Sequence, residues 1–165
     1  MKEEEIYIAT KAWFKKKDYL ILGGQPPGGT DHIPLIEIKD PNYSEKGSKG
    51  SYKPDLIVGN KENIIIIECK PDYDLGDEKK LKEIINSDER KIMLFKELQQ
   101  RHLLKNDLIK NYDLNEENFK SDLRYCLSHA GETMALDSIA TLRVKSVEGE
   151  GILIQPKISK YTIVH

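Results

Sequence analysis

Cysteine is nearly missing from this chain: Cys69 and Cys126 are the only two among 165 residues, and they lie far apart. They offer no disulfide framework, which excludes a cross-linked secreted scaffold and suits a reducing cytoplasm. No apolar stretch approaches a membrane span, and the N-terminus is acidic rather than signal-like. A cytoplasmic protein with no membrane partner is therefore expected. A surplus of one charge is also missing. Lysine and arginine number 26 against 28 acidic residues, a net −2 that does not announce a uniformly basic nucleic-acid binder. His32, His102, His129 and His165 have no ligand-like spacing, so none is assigned to a metal. Repeats and low-complexity segments do not occur. The length suits one domain, 1–165, with a real core, and is short for two.

What the chain does have is one strongly patterned stretch. Pro54-Asp55 opens a short apolar run, Leu56-Ile57-Val58, and Gly59 to Asn63 reads as a tight turn. Ile64-Ile65-Ile66-Ile67 then returns and closes on Glu68-Cys69-Lys70. The pattern predicts a β-hairpin with Asp55 at the start of one arm and Glu68 and Lys70 at the end of the other. In an antiparallel pair those ends lie side by side. Residues two apart on a strand share a face, roughly 7 Å apart along it, so Glu68 and Lys70 project together while Cys69 points the other way as a small core residue. The run is apolar on both faces, which implies a central strand ending at a cleft. Two carboxylates and a lysine around one point suit metal-assisted phosphodiester hydrolysis. The carboxylates hold a hard cation, and the lysine steadies the attacking water or the developing charge.

Pro54-Asp55 followed by Glu68-Cys69-Lys70 resembles the PD-(D/E)xK nuclease superfamily, with its restriction-endonuclease-like fold. The resemblance covers about the first half of the chain. It implies an α/β fold with a central mixed sheet flanked by helices, and an Mg²⁺-dependent endonuclease acting on DNA in restriction, repair or recombination. It implies Asp55, Glu68 and the backbone carbonyl of Cys69 as metal ligands, with Mn²⁺ as a substitute, and Lys70 as the group beside the attacking water. Members open with a helix that carries a glutamate toward the metal, then a strand, the hairpin and a second helix. Ile6, Ala9, Trp13 and Phe14 give Lys2–Lys17 a helical stripe, and Tyr19-Leu20-Ile21-Leu22 follows as a strand. Glu3, Glu4 and Glu5 crowd the first turn, where they also complement the helix dipole. The resemblance favours Glu5 as the assisting glutamate, with Glu4 next.

After Lys70, Asp77 reads as the N-cap of a helix containing Leu81, Ile84 and Ile85. Relatives place there a helix that lends a polar side chain to DNA phosphates, for which Lys79, Lys80 and Lys82 are candidates and Lys80 the choice. Lysines cluster at Lys11, Lys15, Lys16 and Lys17 and again at Lys46, Lys49 and Lys53. A basic groove with Lys53 at its rim can thus hide in a near-neutral total. Gly23 to Thr30 approaches a phosphate-cradling loop, but Gly29 stands where the lysine belongs and a strand over Pro34–Lys39 follows, so nucleotide binding is rejected and a connector expected. Asp77 to about His129 reads as helical, with Phe95, Leu98 and Leu103 on a stripe broken at Asn111 to Asn115. The part at about 86–130 is an elaboration for target recognition, a homodimer contact or a larger nuclease complex. His129 and Arg143 are late polar residues that could reach the cleft, with surface positions the preferred reading. Ala140–Lys145 and Gly151–Gln155 close the fold as strands. Two alternatives stay open: a non-catalytic nucleic-acid-binding or assembly domain that keeps the fold, and a nuclease for RNA or branched DNA.

Overall fold

The structure, a computed structural model, describes residues 1–29, 31–40, 42, 51–109, 115–132 and 134–164. Lys46, Lys49 and His165 fall outside the described residues, as do four of the five from Asn111 to Asn115. Helix α1 (Glu3–Lys16) buries Ile6, Tyr7, Ala9, Thr10, Trp13 and Phe14 along one stripe. It stops at Asp18, whose φ of 63° is the left-handed conformation that aspartate tolerates. The Asp18 and Tyr19 amides return to the carbonyls of Lys15 and Phe14 in a Schellman closure.

Strand β1 (Leu20–Gly23) pairs antiparallel with β2 (Leu56–Gly59), and β2 pairs antiparallel with β3 (Ile64–Cys69). The β2–β3 turn closes because the Asn60 side-chain oxygen accepts the amides of Glu62 and Asn63, at 2.8 and 2.9 Å. Beyond β3 come α2 (Leu75–Ile85), α3 (Asp88–Gln100) and α4 (Glu116–Asp122). The chain then re-enters the sheet as β4 (Leu123–His129), parallel to β3, and β5 (Ala140–Ser146) lies parallel to β4. Strand β6 (Glu150–Ile154) folds back antiparallel to β5. The six-stranded mixed sheet therefore runs in the order β1-β2-β3-β4-β5-β6.

Helices cover both faces. Ile65, Ile67 and Cys69 point into a core shared with α1, while Ile64 and Ile66 point into one shared with α2, α3 and Phe119 of α4. Burial on both sides explains why β3 is an unbroken apolar run rather than an alternating one. The protein is thus α/β, with a mixed sheet between two helical layers.

Three local expectations are corrected. Leu123–His129 is a central strand and not the end of a helical block; six of its seven residues are buried between both layers. Pro34–Lys39 forms no continuous strand. Ile36 and Ile38 are buried and Leu35 is exposed, as alternation requires, but among the described residues its strand pairing is limited to the single bridges Gly24–Leu35 and Ile38–Tyr52. Helix α2 begins one turn early, because Asp74 accepts the Gly76 amide at 2.6 Å and leaves Asp77 inside the first turn.

Candidate active site at the carboxyl end of β3 and β4

The hairpin register pairs Leu56 with Ile67, which sets Asp55 and Glu68 opposite each other one step further on. Ile57 and Ile66, each two residues inward, face the α2–α3 layer, so both carboxyls face that layer as well. Both are buried, and the Cys69 amide donates to Asp55 Oδ2 at 2.8 Å. Tyr52, just before the hairpin and also buried, donates its hydroxyl to Glu68 Oε1.

Two carboxyls in one dry place cannot both ionise at ordinary cost. Burial, with the neighbouring Asp55 charge, pushes the Glu68 carboxyl up to about 9 against the pull of the Tyr52 hydrogen bond. Burial raises Asp55 too, opposed by the Cys69 amide, the hydrogen bond with Glu68 and the Lys70 charge. The pair therefore holds a proton at neutral pH, with Glu68 as its keeper. A divalent cation is the natural replacement for that proton, and the donors are hard oxygens. Among the described residues no three His, Cys, Asp or Glu side chains gather tightly enough to cage a metal. One or two carboxylates completed by water and phosphate is the usual arrangement for Mg²⁺.

Lys70 lies one residue past the end of β3, where its amide donates to the Ser128 carbonyl at 2.9 Å. Its ammonium reaches across to α1 and pairs with Glu3 Oε1 at 2.7 Å. Burial works against that charge, but the Glu3 hydrogen bond and the charges of Asp77, Glu3 and Asp55 outweigh it, and the Lys70 pKa is raised. Lys70 therefore stays an ammonium. Glu5 does not join the group. It turns back to accept the Lys2 amide at 2.7 Å and caps its own helix. The spacing contains the reason: Glu3 stands three, four and seven residues before buried Ile6, Tyr7 and Thr10, on the stripe that faces the sheet.

Of the two lysines expected to meet nucleic acid, Lys53 is exposed just before the motif, and Lys80 extends from α2 to Asp77 Oδ1 at 3.2 Å. Cys69 is fully buried toward α1, and burial holds its thiol well above the usual range, so it is no nucleophile. Three residues were not signalled by their surroundings in the sequence: Tyr52, Asp77 and His129. Far from being a surface group, His129 closes β4 at 1 % exposure. Behind the motif, Gly24 (φ 145°) lets the turn after β1 lie against the Asp55 backbone; a Cβ there would stand 2.4 Å from the Asp55 carbonyl oxygen.

Acidic, basic and aromatic groups thus converge outside the carboxyl ends of two adjacent parallel strands, where α/β sheets characteristically bind ligands. No family model, curated protein or solved structure matches the chain. Among the described residues no helix is long and apolar enough to cross a membrane.

Proposed function

We propose that the protein is a metal-dependent nuclease with a restriction-endonuclease-like core, hydrolysing DNA phosphodiester bonds at the Asp55–Glu68–Lys70 site. One observation carries the reading: the buried Asp55 and Glu68 carboxyls face each other across the hairpin, with Lys70 following on the same strand end. The order of helix, strand, hairpin, helix and parallel strand around that motif supports the fold assignment.

Asp55, Glu68 and the Cys69 carbonyl would hold Mg²⁺, or Mn²⁺ in its place. The ion would supply Lewis acidity and a water of lowered pKa. Lys70, held by Glu3, would orient the attacking water and balance the charge that develops on phosphate oxygens. Glu3 acts through Lys70 as its positioning residue. Tyr52 fixes the Glu68 carboxyl in one rotamer. Lys53 and Lys80 would contact phosphates flanking the cleaved bond.

A second reading, a nucleic-acid-binding or assembly domain that keeps the fold without cleavage, draws on the Lys70–Glu3 ion pair, which serves equally as a strap between sheet and helix. Incubating the protein with plasmid, linear and branched DNA and with RNA, with Mg²⁺ or Mn²⁺, separates the two. Cation-dependent cleavage lost in Asp55→Asn supports the nuclease. Absence of cleavage on every substrate by protein shown to be folded favours the binding domain.

A further inference from the structure

The chain has four arginines, and three of them hold structure together. Arg90 pairs with Asp40 at 3.5 Å. Arg101 donates to the Leu35 carbonyl and lies 3.7 Å from Glu97. Arg124 donates to the Thr162 and Ser121 carbonyls at 3.0 and 2.6 Å. Arg143 alone has neither an ion pair nor a side-chain hydrogen bond among the described residues. It is nonetheless half-buried, on β5, a strand paired on both sides. A guanidinium drawn partly out of water without a partner is costly, and arginine cannot shed its charge.

Leu142 and Val144 point into the core shared with α1, so Arg143 between them projects from the opposite face of the sheet. Among the described residues, α2, α3 and α4 cover that face only as far as β4: no residue of β5 or β6 belongs to the core beneath them. Ile152, paired with Arg143 in the β5–β6 register, is 50 % exposed. On its other side Arg143 pairs in register with His129, the last residue of β4. The Lys70 amide bonds to the carbonyl of Ser128, just before His129. Lys70 and Arg143 therefore lie on one backbone row with a single strand between them, roughly 10 Å apart at about 4.8 Å per strand. His129 between them is buried, and Asp72 after β3 and Glu150 opening β6 form no ion pair with Arg143. Lys145 is exposed two residues further along β5.

We propose that Arg143 binds a backbone phosphate of the DNA strand beyond the cleavage site, so that the strand leaves the Asp55–Glu68–Lys70 cleft across the uncovered face of β5 and β6. The inference rests on the nuclease reading and extends it, by fixing the side of the sheet along which substrate runs. Arginine's planar fork offers two parallel N–H donors to phosphate oxygens, where lysine offers a point charge. A step of roughly 10 Å spans about three nucleotides at 3.4 Å of rise each, so the phosphate held is near the cleaved one and distinct from it. The competing role is structural: the arginine stem covers Ile152 while its head stays in water.

Anisotropy of labelled duplex, single-stranded and branched DNA, with Ca²⁺ in place of Mg²⁺ and salt varied over roughly 50 to 200 mM, reads the contact directly. Arg143→Gln should weaken duplex binding about tenfold and flatten the logarithmic salt slope by about 0.9, the value of one phosphate. Arg143→Lys should keep the slope and recover part of the affinity. In Mg²⁺, Arg143→Gln should raise KM and leave kcat nearly unchanged, unlike Lys70→Ala. If Arg143→Gln does not fold, ¹⁵N spectra of the native protein decide: the Arg143 Nε signal should shift on adding DNA while those of Arg90, Arg101 and Arg124 hold. Native protein that binds DNA, with affinity and slope unchanged in Arg143→Gln or with the Arg143 Nε signal unmoved, overturns the inference and leaves the nuclease reading standing. No binding to any of the three DNA forms by folded native protein overturns the nuclease reading and the inference with it.

Discussion

The two ends of the β2–β3 hairpin are built from similar polar residues and treated in opposite ways. At the turn, Asn60 accepts two amides, buried Asn63 accepts the Val164 amide at 3.0 Å, and Tyr19 donates its hydroxyl to the Val164 carbonyl. That end is tied off by the protein itself. At the other end, burial raises both the Asp55 and the Glu68 carboxyl, and Asp77 and His129 have atoms with no partner among the described residues. Buried polar groups in native proteins are nearly always satisfied, so a concentration of exceptions at one end of one sheet marks where a ligand completes the structure. The contrast makes a general point about this fold: the turn end contributes stability, and the carboxyl end gives some of it up.

The comparison breaks most visibly at Lys70. Lys70→Ala should slow cleavage on the order of 10²-fold or more, as loss of electrostatic groups at reacting centres commonly does. DNA affinity measured in Ca²⁺ should fall far less, since one phosphate contact among several is removed. Equal losses would make Lys70 a phosphate clamp. Glu3→Gln should reproduce part of the kinetic loss, and Glu5→Gln little of it, because Glu5 faces its own helix end.

The acidic pair also sets a pH signature on stability without metal. Folded protein keeps the Glu68 proton up to about 9, whereas the unfolded chain releases it at the ordinary value of 4.5. Between those values the native state binds more protons. The Glu68 contribution is therefore fully present at low pH and is lost as pH rises toward 9, by at most about 1.4 kcal/mol per unit. Thermal melts in chelator from pH 6 to 9 should show falling stability, and Glu68→Gln should flatten that slope. An unchanged slope in the variant would place the proton elsewhere.

Two further changes sharpen the contrast between ends. Gly24→Ala forces a side chain into the Asp55 backbone at a φ of 145°, and should cost about 2 kcal/mol or more while weakening cation binding. Gly29→Ala is the control: its φ is 66° but a Cβ meets nothing within 4 Å, so its smaller cost, about 1 kcal/mol, should spare the site. Asn60→Ala removes two hydrogen bonds at the turn and should cost about 1–2 kcal/mol with cation binding unchanged. Denaturant melts beside Mn²⁺ titrations check all three.

How much of this was legible in the sequence follows from what each segment had to satisfy. Helix α1 and the hairpin were readable, since their apolar periods and turn residues act locally, and the pairing of Asp55 with Glu68 followed from the turn. Strand β4 was not. It joins α4 directly, Asp122 to Leu123, with no glycine or proline between them, and its Leu-Arg-Tyr-Cys-Leu run lacks alternation because both faces are covered. With β4 unread, His129 had no place beside Lys70. Asp77 looked like a cap because nothing local distinguishes it from Asp74. The Glu3 position, by contrast, was available from the phase of Ile6, Tyr7 and Thr10, and the choice of Glu5 gave too little weight to that stripe.

Isothermal calorimetry of Mg²⁺ and Mn²⁺ binding, at pH 7 and 8 in two buffers of different ionisation heat, tests most directly whether the Asp55–Glu68 pair is a cation site. Binding should release close to one proton per ion at that pair, because the cation takes the place of the proton held by Glu68. Affinity should rise up to about tenfold per pH unit, and binding at the pair should disappear in Asp55→Asn and Glu68→Gln. Cation binding that survives the loss of both carboxylates, or that releases no proton, would contradict the account.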